Sequence, residues 1–308
     1  MRKKRNYSNR KHKSWINQIC LKNKVVITFF VAPTIIFLIL MTIVPFIYSF
    51  DMSLHRINLA GVFPGRPFIG FSNYAKIIFD EEVRHSLWIT TLFLLFAVPI
   101  EFLLGFGYAL LLQQNLLGRR LLRTLFILPM ATIPITAGLM FKLMYNPEFG
   151  VIGYILSKLG IFSRPVLGDM RTALAGCVVI DVWQWTPFVA LIILAGLESL
   201  PIEPFEAASV DGASSWQVFK HITFPMLSPI MLIALIFRTM DTLKIFDIIY
   251  LLTFGGPGDA TNVYSLQIYR IAFRTWEMGY AAANSFVLLG IAIISSTLLI
   301  RLLTAQLK

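Results

Sequence analysis

The fourth long apolar run of this 308-residue chain carries four side chains suited to binding a polar, ring-shaped ligand. Asp181, Gln184, Trp185 and Phe188 are spaced so that all four lie on one face of a helix. Aromatic rings stack on the C–H faces of a sugar, while a carboxylate and an amide can bond its hydroxyl groups. The alternative is a structural role, in which Asp181 pairs with a buried base and the rings fill space. The spacing alone favours neither interpretation.

The fifth apolar run is rich in charge for a membrane segment. Arg238, Asp241 and Thr242 share a helical face, and Lys244 and Asp247 follow shortly after. Pairing of Arg238 with Asp241, and of Lys244 with Asp247, would lower the cost of burying these groups. We therefore expect two internal ion pairs, which serve either as structural links or as part of a solute pathway.

One further carboxylate lies in the middle of the second apolar run. Glu101 is followed by Gly105, whose missing side chain permits a neighbouring helix to approach closely. We expect Glu101 to hydrogen-bond that neighbouring helix, which is a structural role.

Motifs for catalysis are missing from the sequence. It contains no phosphate-binding loop of the GxxxxGKS/T type, no HExxH zinc motif and no GxSxG nucleophile motif. Its four histidines are scattered, and its two cysteines form neither a metal motif nor a disulfide framework. We predict no catalytic residue, no metal and no cofactor in this chain. A transport process driven by ATP would therefore need a separate ATPase.

The elements that position these polar groups are membrane helices. Hydrophobic residues make up 57% of the sequence and charged residues 14%, which is too little charge for an ordinary soluble domain. A helix of roughly 20 apolar residues crosses a bilayer. The sequence predicts an all-α membrane protein with six transmembrane helices, at about 25–50, 87–112, 122–144, 172–197, 227–253 and 281–303.

Basic residues set the orientation of the bundle. Residues 1–24 carry nine lysines and arginines and no acid, which predicts a cytoplasmic tail attracted to anionic lipid headgroups rather than to nucleic acid. Residues 25–308 then form one transmembrane domain, with the C-terminus and the loop 198–226 also cytoplasmic. That loop is acidic, so we expect it to meet a basic protein surface. A glycine-rich segment at 255–258 lies outside, as a surface turn or as a gate or docking loop.

The acidic cytoplasmic loop has the pattern of a short helical hairpin. Helix formers at 206–208 are followed by Gly212, a natural left-handed stop. Ser214 or Ser215 can cap a second helix, which Pro225 is expected to interrupt before the next span. Such a hairpin suits docking to a partner protein. The residues predicted to carry this role are Glu206, Ala207, Ala208, Asp211, Gly212, Phe219, Ile222 and Pro225.

The order EAAxxDGAxxxxxFxxIxxPxLxP over this hairpin resembles the EAA loop of permease subunits of binding-protein-dependent ABC importers. Further stretches, including 68–74, 183–188 and 244–257, resemble the maltose-permease-like first subunit of the sugar-type branch. The resemblance extends from about residue 30 to the C-terminus. It implies the six-helix permease bundle of type I ABC importers, in the bacterial cytoplasmic (inner) membrane.

The resemblance also implies partners. Two homologous permease subunits would form the pathway, an extracytoplasmic solute-binding protein would deliver cargo, and two cytoplasmic ATPase subunits would bind ATP and magnesium. Glu206 would meet a basic residue of an ATPase, and Gly212 would permit the bend. In maltose-type relatives the helices on either side of the EAA loop line the cavity. This implies a substrate-pathway role for Asp181, Gln184, Trp185, Phe188, Arg238, Asp241 and Thr242.

The sequence thus predicts a transport subunit, not an enzyme, in an ATP-driven importer of a sugar or oligosaccharide. Maltose-type pockets are mainly neutral, so Arg238 and Asp241 either select a different sugar or pair with each other. One alternative keeps the family but moves glycerol phosphate or another polar metabolite, bound through Arg238. A second is an ion-coupled secondary transporter with its ion site at Asp181, Asp241 and Asp247. A third is a membrane receptor or scaffold without transport.

Overall fold

The structure is a computed structural model that describes residues 29–61, 65–114, 117–160 and 165–306. Within these ranges the regular elements are helices, and two isolated β-bridges join His55 to Phe68 and Asn58 to Glu277. The predicted all-α bundle is therefore confirmed. The predicted basic tail, residues 1–24, lies outside the described residues.

The helices follow one another with short connections. In chain order they are α1 Phe29–Ser53, α2 Ser72–Phe79, α3 Glu81–Gln113, α4 Arg119–Ala131, α5 Pro134–Met144, α6 Val151–Lys158, α7 Ala173–Glu198, α8 Glu203–Val210, α9 Ser215–Val218, α10 Phe224–Thr242, α11 Asp247–Leu252, α12 Tyr264–Phe273 and α13 Met278–Gln306.

Five helical stretches in the described part of the chain are long and apolar enough to cross a membrane. They are α1, α3, α7, the stretch Ser215–Leu252 that contains α9 to α11, and α13. The span predicted at 122–144 is instead a broken pair, because α4 and α5 meet at 96°. The cause is Pro134, which begins α5 and holds Ile133 in extended backbone with ψ of 132°. A straight helix cannot continue through that residue.

The second span begins earlier than predicted, at Glu81 rather than at 87. The side chain of Asp80 accepts hydrogen bonds from the backbone N–H groups of Glu82 and Val83, so it caps the helix. Two acids in the first turn add to this by facing the positive end of the helix dipole. These polar residues extend α3 beyond its apolar stretch, which is why hydropathy missed them.

The centre of the bundle is the contact between α3 and α7. A Cβ atom added to Gly105 of α3 would lie 3.0 Å from Cγ1 of Val189 and 3.1 Å from the backbone nitrogen of Ala190. The predicted close approach at Gly105 is thus confirmed. Because the two backbones are this close, polar side chains on α3 and α7 can meet inside the bundle.

Helix α1 lies at the edge of the described bundle. None of its most apolar 18-residue window is buried, and Phe30 is 73% exposed. Phe46 and Phe50 contact Phe286 of α13 at ring separations of 5.2 and 5.4 Å. Such an apolar surface needs lipid or another membrane helix to cover it.

Candidate functional site

The predicted hairpin between α7 and α10 is present as α8, a turn and α9. Gly212 has φ of +70°, a left-handed conformation that glycine adopts without strain. The Gly212 N–H bonds to the Ser209 carbonyl at 3.2 Å, and the Ala213 N–H bonds to the Ala208 carbonyl at 2.9 Å. These two bonds satisfy carbonyls at the end of α8. The turn is therefore rigidly defined by local hydrogen bonds.

Ser214 caps the second helix of the hairpin. Its side chain accepts the Gln217 N–H, and the Gln217 side chain accepts the Ser214 N–H at 2.8 Å. This reciprocal pair is a capping box, which holds the start of α9 in place. The expected cap is confirmed at Ser214.

The chain remains helical from α9 into α10. A π-helical turn, Phe219–Thr223, connects them, and Pro225 lies in the first turn of α10. The expectation that Pro225 interrupts the helix is therefore wrong. Proline lacks an N–H, and the first turn of a helix and a widened π-turn both tolerate that missing donor. The hairpin is thus directly continuous with a membrane helix.

The outer surface of the hairpin is uncovered. Ala208 is buried, but Glu206, Ala207, Asp211 and Gly212 are exposed. Two large apolar side chains are exposed as well, since Val210 is 88% and Trp216 is 69% exposed. Exposed apolar residues grouped on one surface are typical of a protein-binding site.

Phe219 attaches the hairpin to the bundle. Its ring meets Phe106 of α3 edge-on at 5.6 Å and stacks on Trp216 at 5.4 Å. Ile222 is half-buried beside it. A groove of about 720 Å³ separates the hairpin from the ends of α3 and α7. Phe219 therefore fixes one end of the hairpin, while its turn projects from the bundle.

A pair of arginines on α4 binds the end of α7 near this groove. Arg119 lies 2.8 Å and Arg123 3.9 Å from the Glu198 carboxylate. Sequence reasoning missed this contact. The sequence does contain a signal for this contact. Glu198 is the last residue of the apolar run that forms α7, and two arginines, Arg119 and Arg123, lie at the start of the run that forms α4.

Inside the membrane, Arg238 of α10 holds together three helices. Its guanidinium bonds both carboxylate oxygens of Glu101 on α3, at 2.6 and 2.7 Å, and one oxygen of Asp181 on α7, at 2.9 Å. All three side chains are at most 3% exposed. The expected bond from Glu101 to a neighbouring helix is thus confirmed. For Asp181, the structure shows the pairing with a buried base that the sequence left as an alternative.

The charges that follow on α10 and α11 pair differently from the sequence prediction. Arg238 also donates to Asp241 at 3.2 Å, so that predicted pair is confirmed. Lys244 lies 3.9 Å from Asp241, whereas its predicted partner was Asp247. The reason is that α10 ends at Thr242 and α11 begins at Asp247. The break between the two helices removes the helical spacing on which the Lys244–Asp247 prediction relied.

A cavity of about 300 Å³ opens beside this cluster. Asp181, Trp185, Asp241, Thr242 and Asp247 contribute to its wall, together with Lys244. Within the described part of the protein, the buried Thr242 hydroxyl has no hydrogen-bond partner. A wall that combines carboxylates with two aromatic rings, Trp185 and Phe246, can accept a hydroxylated ligand.

The predicted face of α7 is divided in the structure. Gln184 is fully buried, and its amide donates to the Thr132 carbonyl at 2.8 Å, at the break between α4 and α5. Phe188 is half-buried and meets Trp185 edge-on at 6.2 Å. Trp183, which lies off that face, packs on Phe141 of α5 at 5.1 Å. Of the four residues on that face, Asp181 and Trp185 therefore contribute to the cavity wall, and Gln184 supports the break.

The glycine-rich segment after α11 forms a closed turn. Arg270 of α12 donates to the Phe254 carbonyl at 2.5 Å and to the Asp259 carboxylate at 2.6 Å. The Gly256–Pro257 peptide bond is cis. Arg270 thereby ties both ends of the turn to one helix.

Within the described ranges, no group of three or more His, Cys, Asp or Glu side chains is arranged to hold a metal ion.

Comparison with protein families gives a match over residues 101–308 to the family described as "Binding-protein-dependent transport system inner membrane component". The chain belongs to this family. Members are the membrane components of transport systems, so the protein is a transport subunit and not an enzyme.

Individual relatives and solved structures agree with that membership. The chain is 38% identical to the trehalose/maltose transport system permease protein MalF of Thermococcus litoralis, over 86% of this chain and 88% of the relative. It is 31% identical to the sulfoquinovosyl glycerol transport system permease protein SmoG of Agrobacterium fabrum, over 95% and 94%. A bacterial importer of the acidic polysaccharide alginate contains a chain of the same fold, with a TM-score of 0.81, 21% identity and coverage of 95% and 99%.

Family membership as an inner membrane component confirms the expected location in a membrane. It also removes the ion-coupled carrier and the receptor from consideration, because the family transports solutes delivered by a binding protein. The roles of individual residues in the hairpin and the cavity remain predictions.

Proposed function

We propose that this chain is one permease subunit of an ATP-driven importer for a sugar or oligosaccharide. The relatives from Thermococcus litoralis and Agrobacterium fabrum, both more than 30% identical, are named for sugars or glycosides. The protein would lie in a bacterial cytoplasmic membrane with both termini and the hairpin on the cytoplasmic side, as the basic tail indicates. Cargo would pass the cavity beside Trp185 and Asp241.

The observation that carries this proposal is the continuity between the hairpin and the buried cluster. The turn at Gly212 leads through α9 into α10, and α10 holds Arg238. Arg238 in turn bonds Glu101 of α3 and Asp181 of α7. A force applied at the hairpin is thus transmitted to three helices around the cavity. This is the mechanical link that coupling to an ATPase requires.

The surfaces of the chain fit the partners that such a system needs. Uncovered Val210 and Trp216 on the hairpin suit docking to one of two cytoplasmic ATPase subunits, which would hold ATP and magnesium. The apolar surface of α1 suits a second homologous permease subunit. The turn held by Arg270 would lie on the outer face, where a solute-binding protein delivers cargo.

Photochemical cross-linking in the assembled transporter tests the docking role. A benzoylphenylalanine introduced at Val210 should form an adduct with the ATPase subunit. The matched control is the same group at Val151, which is 63% exposed on α6. Counting spans from a cytoplasmic N-terminus predicts that the loop 145–171, which contains α6, lies outside. An ATPase adduct from Val151, or its absence from Val210, would contradict the proposed orientation.

Transport itself is tested in proteoliposomes that contain the complete importer and its binding protein. We expect uptake of a radiolabelled disaccharide to need ATP on the hairpin side and to be unaffected by an ion gradient. Uptake of glycerol phosphate with no competition by disaccharides would contradict the proposed cargo.

A further inference from the structure

The buried guanidinium of Arg238 is already fully engaged. Four of its N–H groups bond carboxylates, two to Glu101, one to Asp181 and one to Asp241. The Trp185 ring lies 5.0 Å from its central carbon, and Arg238 is only 1% exposed. An arginine has five donors in a fixed plane, so almost none of its capacity remains. Arg238 is therefore unable to receive an anionic cargo without losing its own partners.

The charges around the cavity have a negative excess. Glu101, Asp181, Asp241 and Asp247 are acidic, and Arg238 and Lys244 are basic. Among the charges exposed at the wall, two acids outnumber one base, so the negative excess there does not depend on the buried residues. Asp241 and Asp247 are exposed at the wall, so their charges act directly on a solute that enters. Lys244 is also exposed, and Asp241 lies 3.9 Å from it.

From this arrangement we infer that the cavity admits uncharged sugars and repels acidic ones, with Asp241 and Asp247 as the residues that determine this specificity. The inference rests on the proposed function, since it names the charge class of the same cargo. A neutral sugar meets the exposed carboxylates of Asp241 and Asp247, which accept hydrogen bonds from hydroxyl groups, and an aromatic ring at Trp185. An acidic sugar meets the same groups and, in addition, a wall in which two carboxylates outnumber the single ammonium group of Lys244.

Binding to the assembled importer, purified without its solute-binding protein, tests the inference directly. This omission matters because the binding protein would impose its own selectivity. The probes are maltose and the matched disaccharide in which one glucose unit is oxidised to glucuronate. Titration calorimetry at low and at high ionic strength measures both affinities. We expect the acidic disaccharide to bind about tenfold or more weakly at low salt, with a smaller difference at high salt because ions screen exposed charges.

Substitutions assign the effect to particular residues. Asp241→Asn and Asp247→Asn, singly and together, should strengthen binding of the acidic disaccharide while changing maltose binding less. The result for Asp247→Asn is easier to interpret, because Asp241 also contacts Arg238 and its substitution disturbs that pair. Glu148→Gln is the matched control, since Glu148 is an exposed acid outside the cavity wall. Elution of each variant at the size of the intact complex shows that it has folded.

The possible outcomes separate the inference from the proposed function. Equal or tighter binding of the acidic disaccharide, or no change in selectivity in the double variant, would overturn the inference and leave a sugar importer in place. Binding of glycerol phosphate with no measurable binding of either disaccharide would overturn both.

Discussion

Arg238 and Glu101 are 137 residues apart in sequence and form a two-bond ion pair inside the bundle. The bond lengths are 2.6 and 2.7 Å, and neither side chain is more than 2% exposed. Paired geometry of this kind is the strong form of a charge-assisted hydrogen bond. It joins α10, which follows the hairpin, to α3 at the centre of the bundle. This pairing explains how an acid and a base can both be buried in a membrane bundle, where either charge alone would be very unfavourable.

Removal of the Arg238 charge should destabilise the bundle strongly. Arg238→Met leaves Glu101 and Asp181 buried without their shared partner, and breaking a buried pair in this way costs about 3–5 kcal/mol. Thermal unfolding of the purified protein in detergent measures the effect. The control is Arg119→Met, which breaks the exposed pair with Glu198 and should cost about 1 kcal/mol or less. Equal effects of the two substitutions would contradict a special role for the buried pair.

The contact between α3 and α7 should be sensitive to one methyl group. Gly105→Ala places a Cβ 3.0 Å from Val189, so the two helices must separate and the melting temperature should fall. Gly107→Ala, on the same helix, meets nothing within 4 Å. It should be neutral or stabilising by up to about 1 kcal/mol, because alanine favours helix more than glycine does. If both variants melt at the same temperature, the close approach at Gly105 is not supported.

The hairpin should loosen when its cap is removed. Ser214→Ala deletes the side chain that accepts the Gln217 N–H, which costs about 1 kcal/mol in typical helices. Hydrogen exchange at the amides of α9 should therefore accelerate by roughly fivefold, the factor that corresponds to that energy. Ser215→Ala is the matched control, because Ser215 is the first residue of α9 and Ser214 supplies the cap. If hydrogen exchange were faster in the Ser215 variant alone, the cap would be Ser215 and the assignment to Ser214 would be wrong.

The break between α4 and α5 should depend on Gln184. Its amide supplies the hydrogen bond to the Thr132 carbonyl, which lies between the two helices. Gln184→Leu leaves that half-buried carbonyl without this donor and should destabilise the protein by about 1 kcal/mol. A melting curve that shows no loss would mean that another group satisfies Thr132. Thr91→Val is the control, since the Thr91 hydroxyl makes a local bond within α3.

Much of the architecture is visible in the sequence because it follows from local chemistry. Gly212 stops α8, Ser214 caps α9, and Gly105 permits the helix contact, each through a property of that one residue. The break at Pro134 also had a local signal, since proline disfavours helix in the residue before it. The high overall hydrophobicity of 122–144 concealed it.

Other features depend on tertiary structure and have no local signal. Spacing along α10 correctly gave the Arg238–Asp241 pair, but it could not show that Glu101 and Asp181 converge on the same guanidinium. That convergence depends on how closely α3, α7 and α10 pack. The Lys244 pairing failed for a similar reason, because α10 ends at Thr242 and the helical spacing does not continue to Asp247. Spacing along a helix predicts contacts only while the helix continues.

The most direct test of the coupling role compares two glycines with the same backbone conformation. Gly212 has φ of +70° and Gly160 has φ of +65°, and a Cβ at either meets nothing within 4 Å. Aspartate therefore imposes similar local strain at both sites, but at Gly212 it also enters the space proposed for the ATPase. In proteoliposomes with the complete importer, Gly212→Asp should lower ATP-driven sugar uptake by about tenfold or more. Gly160→Asp should leave uptake near the unmodified rate, and normal uptake by Gly212→Asp would contradict the account.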